Sequence, residues 1–166
     1  MLRVGSALPP DAFESAQARG TALHLALRTL MARPDRRDAL PAATGLADAT
    51  VTALAGQAAE LVAALDAEGL SERLHELPFE ITSSDGGTLR GIADLVARDA
   101  ARGATAVIDF KSPAPGDPVD AIDGYLGQLH CYATAARALW PDARVSRLGV
   151  FFLGSGTLVW GAPASR

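Results

Sequence analysis

The sequence predicts a mixed β-sheet flanked by helices, in the α/β or α+β class, with the element order αα-βββ-α-ββ. Three observations carry this. Apolar residues recur at helical spacing through the first part of the chain. From residue 76 the pattern switches to alternation, the period of a strand with one covered face. A nearly all-apolar run, "ATAVIDFK", follows, as expected of a strand covered on both faces. At 166 residues the chain is read as one domain, 1–166, large enough to bury its own core. Its N-terminal helical part covers about 11–75 and its strand-rich core about 76–161.

Taken in order, Pro9-Pro10-Asp11 opens a helix that runs to about residue 32 and stops before Pro34. Leu23, Leu27 and Leu30 share its inner face, with Ala26 beside them. "RPDRRDALPAATG" is a charged connector with room for a short helical turn. Residues 50–67 are alanine-rich and form the second helix, ending near Gly69. Residues 71–75 read as another turn. In "ELPFEI", Leu77, Phe79 and Ile81 point one way and Glu76 and Glu80 the other. "SSDGGT" is a turn, "LRGIADLVA" the second strand and "ATAVIDFK" the third. "SPAPGDP" is a loop. Asp117 and Pro118 start a helix that runs to about residue 139 and ends at Trp140-Pro141. "SRLGVFFL" and "TLVW" are closing strands around Gly154-Ser155-Gly156.

Composition narrows the function. The net charge is −4, whereas a protein that grips DNA unaided usually carries a basic field. Any hold on nucleic acid therefore falls to a local arginine patch or to a partner. The single cysteine, Cys131, excludes an internal disulfide, a zinc cluster and a cysteine-held iron–sulfur cluster. No apolar run is long enough to span a membrane, and "MLRVGSALPPD" lacks a secretory pattern, so the expected location is the cytoplasm.

Against fourteen arginines the chain has one lysine, Lys111, in "AVIDFKSP". No glycine-rich turn precedes Lys111-Ser112, so this is not a phosphate-binding loop, and no Walker lysine exists for a motor. On a strand, Asp109 and Lys111 project to one face and Phe110 to the other. If the second and third strands form a hairpin centred between Ala101 and Arg102, Asp94 stands opposite Asp109, with Cβ atoms ~5 Å apart. Two carboxylates that close call for a proton or a cation between them, and a hard ion such as Mg²⁺ suits oxygen donors. Lys111 would then stand beside the attacking water. That set suits phosphodiester hydrolysis, since a divalent ion activates water and the lysine stabilises developing charge. Arginine is planar and keeps its proton, whereas lysine is a compact charge with a tunable pKa. Taken alone, Asp109 and Lys111 also read as a solvated ion pair at a strand end.

The stretches "GTALH", "LRGIADLV", "AVIDFKS" and "YLGQLHCY", in that order, resemble the PD-(D/E)XK nuclease superfamily of the RecB-like kind. They are most similar to the nuclease domain of AddA-type helicase–nucleases, as are "ELPF" and the closing "FFLGSGTLVW". The resemblance covers about residues 20–160. It implies a restriction-endonuclease-like core and a metal-dependent DNA exonuclease acting in double-strand break repair and recombination. It matches Asp94 to the acid of G-x-I-D, Asp109 to that of V-x-D-x-K, and Lys111 to the catalytic lysine. It matches His24 to a histidine of the metal shell, and Gln128 and Tyr132 to the Q-x-x-x-Y motif that positions DNA. Mg²⁺, with Mn²⁺ as an alternative, would be held by His24, Asp94 and Asp109, with the Phe110 carbonyl as a further donor. The implied partners are DNA ends or single strands, and a helicase motor or AddB-like subunit. Ala93 stands where a larger aliphatic residue is common, and the motor is absent.

Other residues carry less. Taken alone, a histidine beside leucines is more often packed or solvated than a ligand, although Gly20, one turn before His24, leaves room for a close approach. Tyr125, Gln128 and Tyr132 fall on one helical stripe, with Tyr125 read as a core anchor. Either Glu76 or Glu80 could reach a metal, or both could line an exposed strand face. Asp120 and Asp123 suit the positive start of their helix. His75, His130 and Cys131 receive no role. The competing readings are a non-catalytic module on the same fold, binding DNA ends or a helicase partner, and a structure-selective endonuclease of the superfamily.

Overall fold

A computed structural model describes residues 1–10, 12–82, 86–113 and 116–161. The chain runs through β1 (Leu2–Arg3), α1 (Ala16–Ala32), α2 (Leu40–Thr44), α3 (Asp48–Ala67), β2 (Glu72–Thr82), β3 (Thr88–Asp99) and β4 (Ala104–Lys111). It continues through α4 (Pro118–Ala121), α5 (Leu126–Leu139), β5 (Arg144–Phe152) and β6 (Thr157–Gly161), with 3-10 turns at Pro34–Ala39 and Ile122–Tyr125. The strands form one sheet in the order β1-β6-β5-β4-β3-β2, flanked by the helices. β2–β3 and β3–β4 pair antiparallel. Arg144 N donates to Gly103 O and Leu153 N to Lys111 O, both at 2.8 Å, so β5 ascends alongside β4 in the same sense. The sheet is therefore mixed, as expected. Among the described residues no helix is long and apolar enough to cross a membrane.

Several boundaries differ from expectation. The first helix starts at Ala16, because Ser15 caps it by accepting from Ala18 N at 3.1 Å. The expected start at Asp11 lies outside the described residues, as do residues 83–85 of "SSDGGT" and residues 114–115 of "SPAPGDP". Residues 71–75 are not a turn: β2 already runs from Glu72, paired to Arg98. The helix expected over about 118–139 is broken, since a 3-10 turn containing Gly124 separates α4 from α5. β5 begins earlier than expected, at Arg144, and β1, only two residues long, was not expected at all.

Contacts divide the chain into two units. One comprises Met1–Ala64, Phe110–Pro118 and Phe151–Leu158, and the other Leu65–Asp109, Val119–Val150 and the chain from Val159 on. In the first unit Leu23, Leu27, Leu54, Leu61, Phe151 and Phe152 are fully buried. Gln57 is buried with them, at 0% exposure. Its Nε2 donates to Ser6 O at 2.7 Å and to Leu153 O at 2.9 Å. Gln57→Ala leaves both carbonyls without that donor and should lower stability by about 2 kcal/mol, read from the urea midpoint. In the second unit the core is built from Leu95, Val96, Ile108, Leu129, Leu148 and Val150.

Candidate active site

The turn between β3 and β4 sets the geometry. Asp99 ends β3, and its Oδ1 accepts from the backbone N of Ala101 and of Arg102, each at 3.0 Å. Its carbonyl accepts from Gly103 N at 2.8 Å. This aspartate turn holds Asp99 opposite Ala104 and, four pairs on, Leu95 opposite Ile108. The paired register ends there, and Asp94 and Asp109 are the next residues of the two strands beyond that last pair. Asp109 is 1% exposed and Asp94 half-buried.

β2 adds a third carboxylate to the row. His75 pairs with Leu95 and Leu77 with Ala93, which leaves Glu76 opposite Asp94. Glu76 has φ 48, the only positive φ outside glycine among the described residues. Such a conformation costs about 1–3 kcal/mol and persists only when its surroundings impose it. Glu76 and Asp94 therefore stand opposite each other on β2 and β3, and Asp109 lies one residue past the last β3–β4 pair, the first exposed and the last enclosed. Among the described residues no group of three or more His, Cys, Asp or Glu side chains converges tightly enough to hold a metal ion. Glu80 is engaged elsewhere, with Arg90 Nε 2.8 Å from its Oε2 in an exposed pair.

Lys111 is the last residue of β4, half-buried, and alternation puts it on the face of Asp109. Its carbonyl accepts from Leu153 N, which pins the strand end. Phe110, between the two, is buried and meets Phe151 edge to face, with ring centroids 6.1 Å apart. It also meets His24 of α1 at 5.9 Å and 81°. Gly20, one turn before His24, permits a close approach: a Cβ there would stand 3.0 Å from Ser112 Oγ. The segment that Gly20 admits is thus the one following Lys111, and His24 rests on the ring preceding it.

On α5, Gln128 Nε2 donates to the Tyr132 hydroxyl one turn later. Tyr132 is 7% exposed, and its ring meets that of Phe79 at 5.5 Å and 74°. Burial pushes its phenol above the usual range. The Gln128 bond opposes this, and the charges of Asp109, Asp94 and Cys131 add to it. Tyr132 is therefore a neutral hydroxyl within electrostatic reach of the acid pair. Tyr125 belongs to the 3-10 turn and not to the α5 stripe, because the helix breaks before Leu126. Asp99 had no role in the sequence reading, and Phe79 only a place on a strand face. The spacing of an aspartate at a strand end with a glycine four residues on was a readable signal for the first; nothing local marks the second.

Residues 1–159 match the family model described as the PD-(D/E)XK nuclease superfamily. No curated protein matches the chain.

Proposed function

Because the chain belongs to the PD-(D/E)XK nuclease superfamily, we propose that it is a single metal-dependent DNA exonuclease domain of the RecB-like, AddA-type kind. On this reading it hydrolyses phosphodiester bonds at DNA ends or in single strands during double-strand break repair and recombination. The observation that supports the reading best is the β3–β4 hairpin, whose paired register runs up to Leu95 and Ile108, next to Asp94 and Asp109, with Lys111 two residues beyond Asp109.

The donor chemistry fits a hard divalent ion. Two carboxylates, one of them enclosed at 1% exposure, offer oxygen donors away from bulk water. On this reading Asp94 and Asp109 would hold Mg²⁺, with Mn²⁺ as a substitute, and His24 would be a third donor, although the three side chains do not converge as a ready-made metal site in this structure. When bound, the ion supplies charge neutralisation at the phosphate and acidifies water. Lys111 carries its ammonium at the strand end to stabilise the charge that develops on the phosphoryl oxygens. Gln128, steadied by Tyr132, orients the sugar–phosphate backbone. The net charge of −4 favours a grip supplied in part by another subunit, such as a helicase motor or AddB-like partner in the cytoplasm.

The test is cleavage of linear and circular DNA by the purified chain with Mg²⁺, Mn²⁺ or chelator. Linear DNA should be degraded, circles spared and chelator should stop the reaction. Cutting of closed circles would point instead to an endonuclease. Metal-dependent binding of DNA ends without cutting, alone or with a helicase partner, would identify a non-catalytic module.

A further inference from the structure

Phe79 lies opposite Gly91 in the β2–β3 register. A Cβ built on Gly91 would stand 2.6 Å from Cζ of the Phe79 ring and 2.9 Å from its Cε1. Both distances are well inside van der Waals contact. The ring therefore lies across bare backbone, in the space a side chain at position 91 would fill. From there it meets Tyr132 edge to face at 5.5 Å, and the Tyr132 hydroxyl takes the Gln128 amide. Three stretches distant in the chain, "ELPF", "GIAD" and "GQLHCY", thus touch through one line of contacts: Gly91, Phe79, Tyr132, Gln128.

Phe79 is half-buried, Tyr132 is buried, and Gln128 is exposed. Pro78 and Glu80, on either side of Phe79, are exposed, so the ring sits near a rim and is not one of the core-filling side chains. A cross-strand ring over a glycine restores packing that the glycine forgoes. Here the same ring also meets a second ring edge to face, a contact with a preferred angle, so it bears on where that second ring sits.

We infer that Gly91 and Phe79 are positioning residues for the nuclease site: Gly91 admits the ring, the ring sets Tyr132, and Tyr132 holds the Gln128 amide toward the nucleic-acid backbone. What Gln128 faces rests on the nuclease reading above; the contacts themselves do not. Any side chain at position 91 drives Phe79 off the sheet and against Tyr132. The effect on Gln128 is therefore indirect, and it disappears once Phe79 is shortened.

That dependence gives the experiment. Gly91→Ala, Phe79→Leu and the pair are compared on a single-stranded oligonucleotide with Mg²⁺, each with a thermal melt. Near-ultraviolet circular dichroism in a Tyr125→Phe background, where Tyr132 is the last tyrosine, reads the ring contact without activity. Gly91→Ala should lower kcat/KM at least tenfold and Phe79→Leu severalfold. The pair should be no worse than Phe79→Leu alone, since the clash is already relieved. The Tyr132 signal should change in both single variants. Multiplying effects in the pair, or an unchanged signal and rate in Gly91→Ala, would overturn the inference. If Gly91→Ala melts poorly, recovery of the melt on adding Phe79→Leu supports the clash and no recovery refutes it. If the unmodified chain cuts no DNA, alone or with a helicase partner, the nuclease reading fails and the dichroism alone decides this inference.

Discussion

Asp109→Asn is expected to abolish DNA cleavage, lowering single-turnover rates by about 10³-fold, while the chain still melts cooperatively. The side chain is almost isosteric and its site on β4 is fully enclosed, so packing is preserved. What changes is the donor. An amide oxygen carries no charge, and a hard divalent ion loses one of its two carboxylates. Stabilisation of transition-state charge by a bound ion amounts to several kcal/mol, and about 4 kcal/mol corresponds to a factor of about 10³. A second readout is independent of DNA. An ion present at a hundred times its dissociation constant stabilises the folded chain by about 2.7 kcal/mol. For a chain of this size that raises the melting temperature by about 5–10 °C. The unmodified chain should show that rise with Mg²⁺ or Mn²⁺ and lose it in chelator, and Asp109→Asn should lack it. A variant that still cuts at the original rate would remove Asp109 from the site altogether.

The β3–β4 hairpin was legible in the sequence because a hairpin is governed by counting. Once "ATAVIDFK" is taken as a strand, the position of the turn determines which residues face each other, and β4 indeed spans Ala104–Lys111. The physical cause of that turn was harder to see, since it lies in one carboxylate: Asp99 accepts from two backbone amides. The start of β2 was misread because its first residues, Glu72 to His75, are exposed or half-buried with no apolar alternation to mark a covered face. β1 is too short for any period to show. The break before Leu126 follows from Gly124, but a lone glycine inside a helical pattern is tolerated often enough to be ambiguous. The contacts of Phe79 with Gly91 and Tyr132 join residues up to 53 positions apart, and no local pattern encodes them.

Lys111 separates charge from geometry, and its two substitutions should differ from each other and from Asp109→Asn. Lys111→Ala removes the cation and should cost about 10²–10³-fold in cleavage, the usual effect of deleting one group that stabilises developing charge. The lysine is not a metal ligand in the proposed site, so the Mg²⁺-induced rise in melting temperature should survive. Loss of cutting with metal binding intact is the signature of Lys111, and loss of both is that of Asp109. Lys111→Arg keeps the positive charge but replaces a compact ammonium with a wider planar fork. The backbone cannot shift freely to accommodate it, because the Lys111 carbonyl is held by Leu153 N at 2.8 Å. Arginine should therefore restore little of the lost rate, at most about tenfold over alanine. Full activity in Lys111→Arg would mean that position 111 supplies only charge, as in a solvated ion pair with Asp109, a role that any of the chain's fourteen arginines could chemically fill. A rate that only lysine sustains would explain why the single lysine of the chain stands at the end of β4.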